Sequence, residues 1–328
     1  MTNEMDTTTT KLALTVLERE NDAGDIMRLR LGATDGAMLP PFTAGAHIDI
    51  QVPETSPPLW RQYSLCGDVA DLRQYEIGIL KDPASRGGSL ALHEHIQPGM
   101  TLLVEGPRNL FPLAESAGRS LLFGGGIGIT PMLAMARRLY ALGQDFTLHY
   151  CTRTAAKTAF RQDLEAAPFH DHVKFHHDDG PPAQRLDLAR DLPAPDGTTH
   201  IYVCGPTGFM DWVIASAQAR GYTSETIHRE YFSADVDKSG EGFEVEARAS
   251  GVTVSVGPQD SIAKALARVG VKIPVKCEEG VCGTCVTTVL EGVPDHRDKF
   301  LTDEERASNE EICTCCSRAL GARLVLDV

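Results

Sequence analysis

Hydrophobic and polar positions alternate with a period of two through the first third of the chain, in runs at 11–19, 47–52, 61–66, 75–80 and 101–105. The runs are rich in Val, Ile, Leu, Thr and Tyr and are separated by clusters of Gly, Pro and Asp. That pattern predicts an antiparallel β-barrel, interrupted by one short helix over 88–96. From Ser120 the period changes to apolar strand followed by helix: LLF then 131–142, FTLHYC then 156–166, HVKFHH, THIYVC then 208–220, and TIHREYF. Such alternation predicts βαβ units, a parallel sheet and a ligand site at the carboxyl ends of its strands. DVDKSGEG, residues 235–242, is polar and glycine-bearing and reads as a linker. Beyond it come strands near 243–249 and 252–256, a helix over 261–269, a cysteine-bearing loop and a closing strand at 322–328, a compact α+β unit.

The expected organisation is therefore multi-domain, with boundaries at 1–113, 114–234, 235–242 and 243–328. A length of 328 residues exceeds what one core usually holds. Asp and Glu outnumber Lys and Arg by 45 to 31, a formal charge of −14 that disfavours nucleic acid and anionic membranes as partners. The longest uncharged stretch, 120–136, is broken by four glycines and Pro131, so no membrane span is expected. The start, MTNEMDTTTT, has neither a basic region nor an apolar core, so no secretory signal is read and a cytoplasmic location is expected.

Nine cysteines then need a reason, because disulfides are rare in that compartment. Three (Cys66, Cys151, Cys204) are dispersed, and six fall between 277 and 316. Cys277-Glu-Glu-Gly280-Val-Cys282-Gly283-Thr-Cys285 has the C-x4-C-x2-C spacing of a plant-type [2Fe–2S] loop, in which three thiolates wrap around two irons. Gly280 and Gly283 suit unusual dihedral angles and close approach of amides to sulfur. Cys313, Cys315 and Cys316 compete for the fourth position. Structural zinc, which ordinarily uses two C-x2-C knuckles, is the alternative. His176-His177-Asp178-Asp179 reads as a strand end running into a solvated turn, and Thr302-Asp-Glu-Glu305 as a helix start.

Four further motifs precede the cysteine cluster. Arg61-Gln-Tyr63-Ser64 lies in a barrel strand, and Ser85-Arg86-Gly87-Gly88-Ser89 opens the short helix, whose amides offer an anion site. Gly124-Gly125-Gly126-Ile-Gly128-Ile-Thr130-Pro131 follows LLF, with Thr130 expected to cap the helix, Pro131 in its first turn and the amides facing a pyrophosphate. Cys204-Gly205-Pro206 ends the strand THIYV.

Together these motifs resemble the phthalate dioxygenase reductase family, including vanillate demethylase reductases, over nearly the whole chain. The resemblance implies a flavin barrel, a nicotinamide-binding α/β domain and a C-terminal β-grasp-like ferredoxin domain. It implies FMN held by Arg61, Tyr63, Ser64, Arg86, Gly87, Gly88 and Ser89, with a weaker place for Arg108 and Asn109. It assigns NADH to Gly124, Gly125, Gly126, Gly128, Thr130, Pro131, Cys204, Gly205 and Pro206. Ser64, Cys204 and an aromatic, Phe232 or Tyr231, would serve the hydride step. A [2Fe–2S] cluster would sit on Cys277, Cys282, Cys285 and, by the family's C-x-S-R pattern, Cys315. The implied activity is hydride transfer from NADH to FMN, then single-electron delivery through the cluster to a Rieske non-haem iron oxygenase or demethylase. Arg153 leaves the choice between NADH and NADPH open on the residues alone. A flavin reductase carrying a structural zinc or redox-sensing module is the alternative.

Overall fold

The period-two runs form β1 (Lys11–Asp22), β2 (Ile26–Ala33), β3 (Ala46–Val52), β4 (Leu59–Ser64) and β5 (Tyr75–Leu80). Helix α1 (Gly88–His95) precedes β6 (Thr101–Asn109). The computed structural model describes residues 10–328 apart from Pro57, Ala84, Arg86 and Asp235. The strands join antiparallel in the order β4-β3-β6-β1-β2-β5, and a bridge from Leu65 to Ile77 closes the ends into a barrel. Its interior takes every second residue (Leu14 and Val16, Leu29 and Leu31, Ile48 and Ile50, Ile77 and Ile79), all buried, as the pleat requires.

Five parallel strands follow: β7 (Arg119–Gly125), β8 (Phe146–Thr152), β9 (Val173–His177), β10 (Thr199–Cys204) and β11 (Ile227–Glu230). The connecting helices are α2 (Ile129–Ala141), α3 (Arg161–Ala166), α4 (Leu188–Asp191) and α5 (Thr207–Ala219). The order β11-β10-β7-β8-β9 is doubly wound, and the direction of winding reverses between β7 and β10. The buried face of α2 (Met132, Leu133, Ala136, Leu139) packs on Leu122, Leu148 and Tyr150. That core continues to Ile26, Ala44, Cys66 and Phe111 of the barrel side, so both sheets belong to one compact unit, Met1–Glu230.

The second unit, Tyr231–Val328, contains β12 (Phe243–Ala247), β13 (Val252–Val256), α6 (Ile262–Arg268), β14 (Val286–Glu291) and β15 (Pro294–Asp295). It continues with α7 (Asp303–Ser308), β16 (Glu311–Cys313), β17 (Arg318–Ala319) and β18 (Arg323–Leu326). The mixed sheet β13-β12-β18-β14-β16 packs Val245, Leu324 and Leu326 against Ile262 and Leu266 of α6. Thr302 and Glu305 form the reciprocal cap of α7 that their spacing predicts.

Three local expectations are corrected. The helix expected over 156–166 breaks into a 3-10 turn at Ala155–Lys157 and α3, because Phe160 turns left-handed (φ 57°). That turn buries the Phe160 ring beneath the Arg28 guanidinium, 4.6 Å away, while its amide donates to Asp22 Oδ2. Thr130 does not cap α2: the helix begins two residues earlier than expected, at Ile129, and the Thr130 hydroxyl donates to the Ile127 carbonyl instead.

His176 and His177 are buried rather than solvated. His177 Nδ1 is 2.9 Å from the Thr152 hydroxyl, and His176 Nε2 shares a 3.0 Å hydrogen bond with His149 Nδ1. These two rings and an Asp191 oxygen lie within 4.8 Å of one another, but this carboxylate is already held by Arg190 at 2.7 Å and faces Lys174 at 3.9 Å. A divalent cation there would meet two neighbouring positive charges, so the group reads as a polar network and not a metal centre.

Candidate functional site

Arg61, Tyr63 and Ser64 lie on β4, whose alternation sends Tyr63 to the margin of the barrel core and Ser64 towards the parallel sheet. The Arg61 side chain lies flat on Gly88: a Cβ there would stand 2.6 Å from Arg61 Nε. Gly87, left-handed at φ 95°, turns the chain into α1, and the Ser89 amide donates to Ser85 Oγ. A fixed guanidinium thus meets the amino end of a helix, a combination that fits a phosphate. Arg86 lies outside the described residues. Arg108 and Asn109 are engaged elsewhere. Arg108 Nη2 donates to the buried Asp49 at 2.6 Å, and Asn109 Nδ2 donates to Thr43 Oγ1 at 2.7 Å.

At the switch point, backbone crowding decides the residue type. A Cβ on Gly128 would come within 2.2 Å of the Cys204 carbonyl oxygen, and one on Gly125 would strike Phe209 and Pro206. The two expected dinucleotide segments, 124–131 and 204–206, are therefore in direct contact. Register sets the rest: Gly124 lies beside Cys204 and Cys204 beside Glu230, one row across β7, β10 and β11. The Ser64 hydroxyl reaches this row from the barrel and donates to Glu230 Oε2 at 3.3 Å.

Glu230 is partly accessible yet surrounded by protein, and this desolvation lifts its carboxyl to about 8. Cys204 is fully buried, and burial, reinforced by Glu230, holds its thiol well above the ordinary value. Glu230 was missed as a site residue because nothing in the run HRE distinguishes it from a solvated strand end. Phe232, the expected aromatic cover, is 38 % exposed and belongs to the second unit.

In that unit Cys277, Cys282, Cys285 and Cys315 converge. Cys315 is within hydrogen-bonding reach of Cys277 and Cys285, whereas Cys313 reaches Cys285 and Cys316 reaches Cys315. Neighbouring thiols, Cys313 first, draw the Cys285 thiol below its ordinary value. Gly280 (φ 70°) and Gly283 (φ 69°) are left-handed; a Cβ on the first would meet Cys316 Sγ at 2.5 Å and on the second the Phe300 ring at 2.2 Å. The Glu279 amide donates to Cys277 Sγ at 3.3 Å. Several sulfur donors around a loop whose amides turn inward fit a [2Fe–2S] cluster.

Asp298, absent from the sequence-level site, anchors this region. It is buried, accepts from the Leu301 amide at 2.8 Å and receives the Ser317 hydroxyl at 3.3 Å.

Fold and site together define a modular reductase, with a dinucleotide domain and a separate iron–sulfur domain. Residues 122–214 match the oxidoreductase NAD-binding domain family, and residues 245–320 match the 2Fe-2S iron-sulfur cluster binding domain family. Vanillate O-demethylase oxidoreductase of Pseudomonas sp. (strain HR199 / DSM 7063) is 49% identical over 93% of this chain and 96% of its own length. A solved structure of phthalate dioxygenase reductase, described as modular for electron transfer from pyridine nucleotides to [2Fe–2S], superposes with a TM-score of 0.74. It is 37% identical and covers 98% of each chain. An intact type IV self-sufficient cytochrome P450 monooxygenase superposes with a TM-score of 0.84 at 36% identity; 97% of this chain spans 41% of that longer one. The chain belongs to the phthalate dioxygenase reductase and vanillate O-demethylase reductase family, and it is an oxidoreductase with NAD-binding and [2Fe–2S] cluster-binding domains.

Proposed function

We propose that the protein takes hydride from NADH onto FMN and passes single electrons through its [2Fe–2S] cluster to a separate terminal oxygenase or demethylase of the Rieske non-haem iron type. The observation that carries this reading is the Ser64–Glu230 contact at 3.3 Å, which joins the flavin-side strand to the dinucleotide switch point. Bound flavin would supply the conversion between a two-electron donor and a one-electron acceptor. The relatives' descriptions as a demethylase oxidoreductase and as part of a self-sufficient monooxygenase support an oxygenase as the recipient.

The chain's own residues divide the work. Arg61 with Arg86 and Gly87–Ser89 would hold the flavin phosphate, Tyr63 would flank the ring, and the Ser64 hydroxyl would donate at its reactive edge. Gly124, Gly125, Gly126 and Gly128, followed by Thr130 and Pro131 in the first turn of α2, would receive the dinucleotide pyrophosphate. Cys204, Gly205 and Pro206 would border the nicotinamide, the buried thiol excluding water there. Cys277, Cys282, Cys285 and Cys315 would ligate the cluster. Functionally this makes three domains, 1–113 for flavin, 114–234 for NADH and 243–328 for the cluster.

A cytoplasmic location is part of the proposal: no disulfide joins any of the nine cysteines, which suits a reducing compartment with a dinucleotide pool. No helix among the described residues is long and apolar enough to cross a membrane.

The test is the visible spectrum of the purified protein before and after anaerobic NADH. Flavin and iron–sulfur bands that both bleach are expected. A colourless protein, or flavin bands with bound zinc, would overturn the reading, and a large kcat/KM advantage for NADPH would overturn the choice of donor.

A further inference from the structure

Residues 236–241 have the composition of a free linker, yet they are tied down along their whole length. The Arg318 guanidinium is buried and donates to four backbone carbonyls: from Nη1 to Lys238 (2.8 Å) and Asp260 (2.9 Å), and from Nη2 to Glu241 (2.9 Å) and Gly257 (3.1 Å). Its face rests on the Phe243 ring, 5.1 Å from the centroid. Arg297, oriented by its fork to Asp295, donates from Nη1 to the carbonyls of Asp237 (2.5 Å) and Ser239 (2.6 Å). The Gly240 amide donates to the Pro258 carbonyl, and Val236 packs against the cysteine core. Lys238 Nζ donates to the Glu278 carbonyl at 2.5 Å, inside the cysteine loop.

These contacts have a common logic. A guanidinium has five donors in a rigid fork, so one side chain can bind the segment before β12, the turn before α6 and the strand three residues past Cys315. An ammonium, a point charge on a flexible stem, cannot span the same four acceptors. Gly240 sits where a Cβ would be 2.8 Å from Arg318 Nε, so the segment passes as close to the fork as backbone can.

We propose that Arg318 is a positioning residue for electron transfer: with Arg297 it turns residues 236–241 into a fixed arm of the cluster-bearing unit. Only the five residues 231–235 then connect Glu230 to that arm. This rests on the proposed electron-transfer function, since the arm matters only if the cluster must receive electrons from the first unit. Five residues span at most ~18 Å, and eleven, the length once the arm is released, ~40 Å. Effective concentration falls roughly as the −3/2 power of tether length, so release lowers it about threefold before any loss of orientation is counted.

The experiment compares wild type, Arg318→Lys and Gly240→Ala in the full chain. Hydrogen–deuterium exchange at the position-240 amide, the one in the arm that donates to the Pro258 carbonyl, reads the clamp, and anaerobic stopped-flow with NADH reads flavin reduction and cluster reduction separately. Expected are slow exchange in wild type, at least tenfold faster exchange in both variants, an unchanged flavin phase, an unchanged spectrum of the reduced cluster, and cluster reduction slowed about threefold or more. Wild-type exchange as fast as in an unstructured peptide would overturn the clamp. A released arm with an unchanged rate of cluster reduction would overturn its positioning role. Should Arg318→Lys fail to take up its cluster, Gly240→Ala, which removes no side chain, carries the comparison. A wild-type cluster that NADH never reduces would overturn the functional reading instead, and exchange would still decide whether the arm is held.

Discussion

Ser64 and Glu230 stand 166 positions apart in the chain and share a 3.3 Å hydrogen bond that joins the barrel to the last strand of the parallel sheet. Because desolvation raises the Glu230 carboxyl to about 8, this bond changes character within the working pH range. Protonated, the carboxyl can donate to the Ser64 oxygen and leave the hydroxyl free to donate elsewhere. Ionised, it captures that hydroxyl as acceptor.

The rate of flavin reduction by NADH is therefore expected to fall as pH rises through about 8, and Glu230→Gln, neutral throughout, is expected to remove that inflection. Stability gives an independent reading. The folded state keeps its proton above the unfolded pKa near 4.5, so Glu230 costs stability increasingly from there to about 8, then by a constant amount. The Tm of Glu230→Gln should match wild type in acid and exceed it at pH 8. A variant with an unshifted pH–rate profile and Tm would show that the carboxyl titrates in the ordinary range.

Gly128→Ala should weaken dinucleotide binding and destabilise the fold by ~1–3 kcal/mol, the cost of overpacking against a backbone carbonyl that cannot yield. Gly126 makes a useful comparison. It is left-handed at φ 53° with open space around it, so Gly126→Ala should cost about 1 kcal/mol from backbone strain alone. Urea melts and the KM for NADH check both; equal effects at the two positions would refute the close-approach argument.

Cys315→Ser is expected to lose or strongly shift the cluster absorbance and iron content, while Cys313→Ser and Cys316→Ser retain both. Cys315 alone of these three reaches two of the loop cysteines, Cys277 and Cys285. Retention of an unaltered spectrum in Cys315→Ser would transfer the fourth ligand to one of its neighbours.

Asp49→Ala should destabilise the protein by on the order of 3 kcal/mol, since it strips a buried carboxylate from Arg108, 2.6 Å away. With the flavin-side residues elsewhere, NADH-dependent flavin reduction per folded molecule should stay near wild type. A large kinetic loss at unchanged stability would instead put Arg108 in the flavin site.

Short spacings along the chain already encode several features. Cys277, Cys282 and Cys285 lie within nine residues, so their spacing already dictates a loop that gathers thiolates. Likewise LLF followed by GGGIGITP dictates a tight strand-to-helix turn, and alternation through β3 or β5 dictates which side faces the barrel core. Other features depend on residues distant in sequence and arise only from the fold. Phe160 breaks a helix because its ring has a better place beneath Arg28, and His176 is buried because His149 waits on the neighbouring strand. Glu230, Asp298 and Arg318 look like ordinary polar residues in strands and loops. Glu230 acquires its raised pKa from packing around it, Asp298 its role from the amides and hydroxyl that converge on it, and Arg318 its role from four carbonyls 58 to 80 positions away. Local chain geometry is written in neighbouring residues, whereas desolvation and long-range hydrogen bonds exist only once the sheets have paired.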